Sequence, residues 1–316
     1  MDRPTVLVVG SANVDLVTTV ARCPKAGETL IGTSSKTVAG GKGANQAVAA
    51  ARLGARTFFA GCVGDDAFGE MQRSTLSEAG VDTTHLKTHP SEPTGTAIIF
   101  VADTGQNSIV VVPSANYGIT PADVRALRPL FEKLDCVLLQ LEIPLETVEA
   151  TLDLARESSV RSVLDAGPAQ KVPPEIVRKA DVVSPNETEA EAMTGLSVQS
   201  LDDAHSVAER LREMGARDVV LKLGENGCLY VGEECVHAPA FTVATVDTTA
   251  AGDAFTAALG CVWMRLPRRE ALRYANAAGA LATTVAGAQP SMPTAAAVEA
   301  FLREHSSEFN RPGAIC

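Results

Sequence analysis

The chain has 316 residues, 46% of them hydrophobic, and a formal net charge of −11. That hydrophobic fraction fills a sizeable core and excludes disorder, and the length suits one large α/β domain or one with an inserted flap. The acidic balance opposes the broad basic footprint that nucleic acid requires, so any phosphate-bearing ligand has to be held in a small, locally positive pocket. Seven scattered cysteines without a C-x-x-C pair signal neither a disulfide framework nor a zinc site and point to a reducing cytoplasm. The opening stretch is apolar only as far as Gly10, and no run of about 18 apolar residues occurs, so neither an export signal nor a membrane span is expected.

In chain order, the first buried strand is read at TVLVVG (5–10), with Asn13 and Asp15 just beyond it. The stretch 14–41 alternates, is rich in turn residues such as Pro24 and Gly27, and reads as half of a small β-flap. AGGKGANQAVAAARLG (39–54) then sets Gly40, Gly41 and Gly43 around Lys42, ahead of an alanine-rich helix. Its backbone can approach a ligand closely while the helix turns its positive end toward the same point. This is not a P-loop, because Gly43 stands where Ser or Thr is needed; nor is it G-x-G-x-x-G, because Gln46 takes the last position. A strand at 57–64 and a helix at 66–80 follow. The alternating stretch 94–116 completes the flap, with a hairpin turn expected at Gly105, Gln106 and Asn107.

From there, strands at 135–144, 161–167, 180–186 and 218–224 are interleaved with helices at 145–158 and 201–215, which implies a doubly wound, mostly parallel sheet flanked by helices. Ligands of such sheets sit beyond the carboxyl ends of the strands. Glu142, Asn186 and Glu189 fall there, with Asn13 and Asp15, and Asp253 is expected there after a strand at 241–247; any one alone suits a cap or a turn, but together they mark a site. A last strand is expected at FTVATVD (241–247), leading into DTTAAGDAF (247–255). There Ala250, Ala251 and Gly252 offer backbone N–H groups at a helix start, an anion hole for a phosphoryl group in transfer. Asp253 stands where it can accept a proton from the attacking hydroxyl. The stretch 272–288 reads as a buried, alanine-rich helix.

GGKGANQAVAAARLGA (40–55) and DTTAAGDAF resemble the two signatures of the ribokinase (PfkB-like) family of sugar and nucleoside kinases. SANVD (11–15), GCVGDDAFG (61–69), LLQLEIP (138–144), SPNETEAEAMTG (184–195), LKLGENG (221–227) and AGAQPS (286–291) extend the likeness, in order, over nearly the whole chain. The resemblance implies one kinase domain over 1–316 with a β-lid formed by about 14–41 and 94–116, and ATP-dependent phosphorylation of D-ribose at its 5-hydroxyl. Sister activities on deoxyribose, fructose or a nucleoside stay open, as does a non-catalytic sensor, which would have no need of Asp253.

By the same resemblance, Asn13, Val14, Asp15, Gly41, Lys42, Gly43, Ala44, Asn45 and Glu142 match sugar-binding positions, and Asp253 matches the catalytic base beside the Ala250–Gly252 hole. Asn186, Lys222, Leu223, Gly224, Glu225, Asn226, Gly227, Gly252, Asp253 and Asn276 match positions contacting ATP. Glu189 completes an N-x-x-E motif associated with magnesium, acting through water, and Asp247, Thr249, Ala282, Val285, Gly287 and Ser291 match a potassium site. VLDAGPAQ (163–170) stands where the family pattern has Asn-Pro-Ala-Pro, and PSAN (113–116) varies Gly-Ala-Asn, which leaves the sugar preference and the floor beneath the phosphates open. The flap's strand edges and apolar face predict a homodimer. No nucleic acid or membrane partner is expected.

Overall fold

The computed structural model describes residues 3–104 and 106–306. Gly105 of the expected hairpin turn therefore lies outside the described residues. The strands are β1 (Thr5–Val9), β2 (Asn13–Val20), β3 (Ser34–Gly40), β4 (Arg56–Gly64), β5 (Asp82–His89), β6 (Gly95–Ala102), β7 (Asn107–Val112), β8 (Cys136–Leu139), β9 (Arg161–Asp165), β10 (Val182–Ser184), β11 (Asp218–Lys222), β12 (Cys228–Val231) and β13 (Cys235–Ala238). The helices of eight or more residues are α1 (Lys42–Arg52), α2 (Ala67–Glu78), α3 (Leu145–Glu157), α4 (Glu187–Thr194), α5 (Leu201–Glu213), α6 (Ala251–Val262), α7 (Arg268–Thr283) and α8 (Ala295–Glu304).

Nine strands form the main sheet in the order β13-β12-β11-β10-β9-β8-β1-β4-β5. All neighbours are parallel from β11 to β5, and β12 and β13 add an antiparallel edge. Because both faces carry helices, the central strands are continuous apolar runs: Val6 and Val8 of β1 face one core, Leu7 and Val9 the other. From β1 the chain runs outward through β4 and β5, then returns to β8 on the other side and proceeds away. This reversal opens a crevice at the carboxyl ends of β1 and β8.

On one face α1, α6 and α7 pack closely because their contacting residues are mostly alanine, among them Ala47, Ala50, Ala257, Ala258 and Ala278. Gly43 lets the start of α1 rest directly on the chain after β1, since a Cβ there would come within 2.6 Å of the Ser11 nitrogen. The separate sheet, β3-β2-β6-β7, occupies the two stretches read as a flap. Its base is tied to the body by Asp66, whose carboxylate accepts the backbone N–H (2.8 Å) and hydroxyl (2.6 Å) of Thr94.

Three features depart from the sequence reading. Residues 241–247 form no strand; they run as irregular chain along the cleft, leaving β13 as the sheet edge. Strands β5, β12 and β13 come in addition, β5 with only Leu86 fully buried, so it lacks the apolar run that identifies a central strand. The helix expected over 272–288 spans 268–283, and Gly287, with φ of 91°, opens a separate turn. Cys23, Cys62, Cys136, Cys228 and Cys261 are free thiols, whereas Cys235 is disulfide-bonded, which the cysteine spacing did not signal. No described helix is long and apolar enough to cross a membrane.

Candidate active site

α6 begins at the floor of a cleft of about 1230 Å³. Ala250, its N-cap, adopts a left-handed conformation (φ 59°, ψ 12°) that a residue with a Cβ holds only under constraint. The consequence is a tight turn in which Ala251, whose N–H bonds the Thr248 carbonyl (3.3 Å), and Gly252, whose N–H the helix ladder does not take, start the helix with small side chains. A Cβ on Gly252 would meet only the Lys222 ammonium, at 3.8 Å. Packing does not require glycine there; the missing side chain leaves room in the cleft.

Asp253 follows, 4% exposed, with Asn45 Nδ2 donating to its Oδ2 (2.9 Å) and Gln46 Nε2 to its Oδ1 (3.1 Å). Both donors come from the first turns of α1, so the two helix starts converge on one carboxylate. Burial pushes the Asp253 carboxyl up to about 6 against the opposing pull of Lys42. Burial disfavours the Lys42 charge, but Asp165, Asp253, Glu189 and Glu142 outweigh it and hold the ammonium above the ordinary lysine range. Asn45 Oδ1 is buried without a hydrogen-bond partner among the described residues, as expected of an acceptor awaiting a ligand donor.

Under the small sheet, Glu142 Oε2 accepts from the Ser11 hydroxyl, the Lys42 N–H (3.1 Å) and Asn13 Nδ2 (3.4 Å), which leaves Oε1 available. Asn116 orients the Asn13 amide by donating to its Oδ1 (2.6 Å). Asp15 lies one strand step further along β2, 9% exposed, and burial, with Glu142 and Asp253 nearby, raises its carboxyl to about 7. Strand alternation sends Val14 to the opposite face, fully buried, so it offers only main chain. Ala44 is likewise buried, its N–H bonded to Ser11 O (2.8 Å), and Gly43 N–H points to the Ser11 hydroxyl (3.3 Å). Gly41, at φ 89°, makes the turn that presents Lys42.

Along the cleft run Asn186, Lys222, the turn Leu223 to Gly227, Gly252 and Asn276. Asn186 and Glu189 cap α4 reciprocally, each backbone N–H bonded to the other's side chain at 2.8 Å, so N-x-x-E is here a capping box. Asn276 spends its amide N–H groups on the carbonyls of Ala238 (2.9 Å) and Pro239 (3.1 Å), holding the wall formed by the irregular chain after β13. Asp247 accepts the N–H groups of Thr249 (2.9 Å) and Gly287 (2.8 Å). It thereby ties the turn ahead of α6 to the segment carrying Ala282, Val285 and Ser291, and those bonds hold its carboxyl below the usual range despite burial.

The sequence reading missed Ser11, Gln46, Gln140 and Asp165. Ser11 and Asp165 do lie at strand ends, the signal used for Asn13 and Glu142. Gln140 directly follows β8 and lies at a strand end too, whereas Gln46 carries no such mark, because its role comes from a buried chain in which Gln140 Nε2 donates to Gln46 Oε1 (2.6 Å).

A buried carboxylate beside small residues at a helix start, at the crevice of a doubly wound sheet with a small separate β-sheet, is the arrangement expected of a kinase of small hydroxyl-bearing molecules. The model of the pfkB family carbohydrate kinases matches residues 3–295, and the chain belongs to that family. It is 40% identical to the ribokinase of Haemophilus influenzae over 96% of this chain and 100% of that protein. It is 42% identical to the ribokinase of Bacillus subtilis over 94% and 99%. The structure of Arabidopsis thaliana ribokinase complexed with ribose and ATP superposes with a TM-score of 0.88 at 33% identity, covering 96% of this chain and 99% of that one.

The raised Asp15 carboxyl has a stability consequence. Its folded value of about 7 exceeds the ordinary 3.8, so the penalty for ionising it in the folded protein grows from about pH 4 and is complete above about pH 7. Asp15→Asn, without ligands, is expected to be more stable than wild type at pH 8, by on the order of a few kcal/mol at most, with the gain vanishing near pH 3.5. Denaturant unfolding at the two pH values checks this, and no gain at pH 8 contradicts it.

Proposed function

We propose that the protein transfers the γ-phosphoryl group of ATP to the 5-hydroxyl of D-ribose, giving D-ribose 5-phosphate and ADP. The observation carrying this reading is the single turn that joins a buried, amide-held carboxylate, Asp253, to the small residues Ala250, Ala251 and Gly252 at the start of α6. The sugar lies beneath the lid against Asn13, Asp15, Asn45 and Glu142, where carboxylates and amides suit a ring of hydroxyls. Asp253 takes the proton of the 5-hydroxyl as that oxygen attacks the γ-phosphorus and the bond to ADP breaks. The turn's N–H groups and Lys42 meet the charge that develops on the phosphoryl oxygens. The nucleotide runs along Asn186 and the segment Lys222 to Gly227, with Asn276 supporting the wall.

Magnesium accompanies the phosphates of ATP in this reading. No three His, Cys, Asp or Glu side chains form a metal cluster among the described residues, and Glu189 is committed to its cap and faces Lys42 at 3.9 Å. That donor set suits contact through water. When bound, the ion neutralises phosphate charge. Potassium fits the loop pair tied by Asp247, where its charge and carbonyls from 282–291 would stiffen the anion-hole turn. The exposed edge strand β7 of the lid, with Ile109 at 56% exposure on one side and Val110 at 59% on the other, is the surface for a homodimer.

Asp253→Asn keeps shape and reach but cannot act as a base. Its kcat is expected to fall by about 10²- to 10⁴-fold with a much smaller change in KM, and kcat within about threefold of wild type would end the assignment. D-ribose is expected to lead a panel of sugars and nucleosides in a coupled assay; a kcat/KM for 2-deoxyribose equal to that for ribose points to a sister kinase instead. Replacing large organic cations with potassium is expected to raise turnover several-fold, and Asp247→Ala to abolish that rise; equal rates in all cations exclude the site. Light scattering at micromolar concentration is expected to give a dimer, and a fully active monomer refutes the lid interface.

A further inference from the structure

Asp165 has no part in the reading above, yet it is fully buried at the carboxyl end of β9, in the stretch that departs from the family pattern. Its Oδ1 accepts from the Lys222 ammonium at 2.7 Å and its Oδ2 from Gln46 Nε2 at 2.8 Å. The same Gln46 nitrogen donates to Asp253 at 3.1 Å, so one carboxamide bridges two carboxylates. Gln140 fixes which end of Gln46 faces them, by donating to Gln46 Oε1. Lys222, held on its other side by Glu189 at 3.8 Å, stands against the cleft face of Gly252. A buried ion pair is a poor choice for stability alone, since a well-packed apolar pair serves as well or better. This one is built at the point where a phosphoryl group would lie.

We infer that Asp165 is a positioning residue for phosphoryl transfer: through Lys222 it aims an ammonium at the Gly252 turn, and through Gln46 it sets the orientation and proton affinity of Asp253. The inference rests on the kinase reading above. The charged groups facing Asp253 are Lys42, Asp165 and Asp15; Lys222 and Glu189 border it on the cleft side, and Glu142 stands beyond Lys42 and Asp15. Against that background two substitutions push in opposite directions. Asp165→Asn removes a nearby negative charge and leaves Lys222 less compensated, and both changes favour ionised Asp253. Gln46→Met keeps every charge and removes a hydrogen bond to the carboxylate, which disfavours ionised Asp253.

The test is the pH profile of kcat/KM for D-ribose in wild type and the two variants. The acidic limb is expected to move to lower pH in Asp165→Asn and to higher pH in Gln46→Met. At pH 8, Asp165→Asn is expected to lose about tenfold or more in kcat with ribose KM changed by less than about threefold, because Lys222 is no longer aimed. Carbon NMR of the Asp253 carboxyl, titrated without substrates, reads the same two shifts with no turnover needed. A general loosening of the fold does not yield shifts of opposite sign. Limbs and titrations unmoved, or moved together, overturn the inference, and if Asp165→Asn fails to fold, an unmoved or acid-shifted Gln46→Met overturns it alone. A wild type that does not phosphorylate ribose counts against the kinase reading, and the NMR titration then still decides the positioning role.

Discussion

Two ammonium groups, Lys42 and Lys222, share a water-poor region with five carboxylates, those of Asp15, Glu142, Asp165, Glu189 and Asp253. Unscreened charge is expensive there, so each group needs an opposite charge or directed donors. Asp165 has both lysines acting on it, and despite its burial they hold its carboxyl below the usual range. Glu142 and Glu189 have backbone donors from Lys42 and Asn186. The excess negative charge then falls on Asp15 and Asp253, the two carboxyls pushed toward neutrality. Burial first, and Asp165 after it, hold the Asp253 carboxyl near 6, where it is a far better proton acceptor than at 3.8, as the proposed base role requires.

The same imbalance bears on the donor. A site already rich in carboxylates cannot take several phosphate charges unaided, and the protein's reply is geometric. Two helix N-termini, those of α1 and α6, meet at Asp253, bringing backbone N–H dipoles that carry no counterion of their own. They can approach so closely only because alanines line the α1–α6 contact and Gly43 rests on main chain. A carbohydrate kinase of this family thus draws its electrostatics from packing: the small residues of the core decide how near the two dipoles stand.

The small separate sheet contributes polar groups to the same charge system. Gln72, buried on α2, donates to the carbonyls of Asn13 and Gly40, where β2 and β3 leave the body, so the root of the small sheet is fixed to the main one. Asn116, after β7, receives the Ala12 N–H (2.8 Å) while orienting Asn13. Residues from the two segments that carry the small sheet and from the body therefore set one amide's direction, the kind of constraint a site for a hydroxyl-bearing ligand requires.

The sequence alone determined the layered α/β architecture, because buried parallel strands must be apolar runs and their helices must show helical period. It also marked the glycine-rich turn before α1, the Ala-Ala-Gly turn before α6, the strand-end positions of Asn13, Glu142 and Asn186 and the helix-start position of Asp253, since few residue types allow close backbone approach or place a carboxylate at a helix start. Tertiary structure decided what those residues touch. Lys222 and Asp165 are 57 positions apart and meet only because β9, β10 and β11 lie side by side. Gln46 reads as one more helical polar residue until α6 brings Asp253 against it. The stretch 241–247 has strand composition but no strand, because β13 already forms the sheet edge and the chain beyond it is held as cleft wall by Asn276. Local pattern encodes local geometry, whereas pairing across the sheet depends on strand order, which no short stretch of sequence contains.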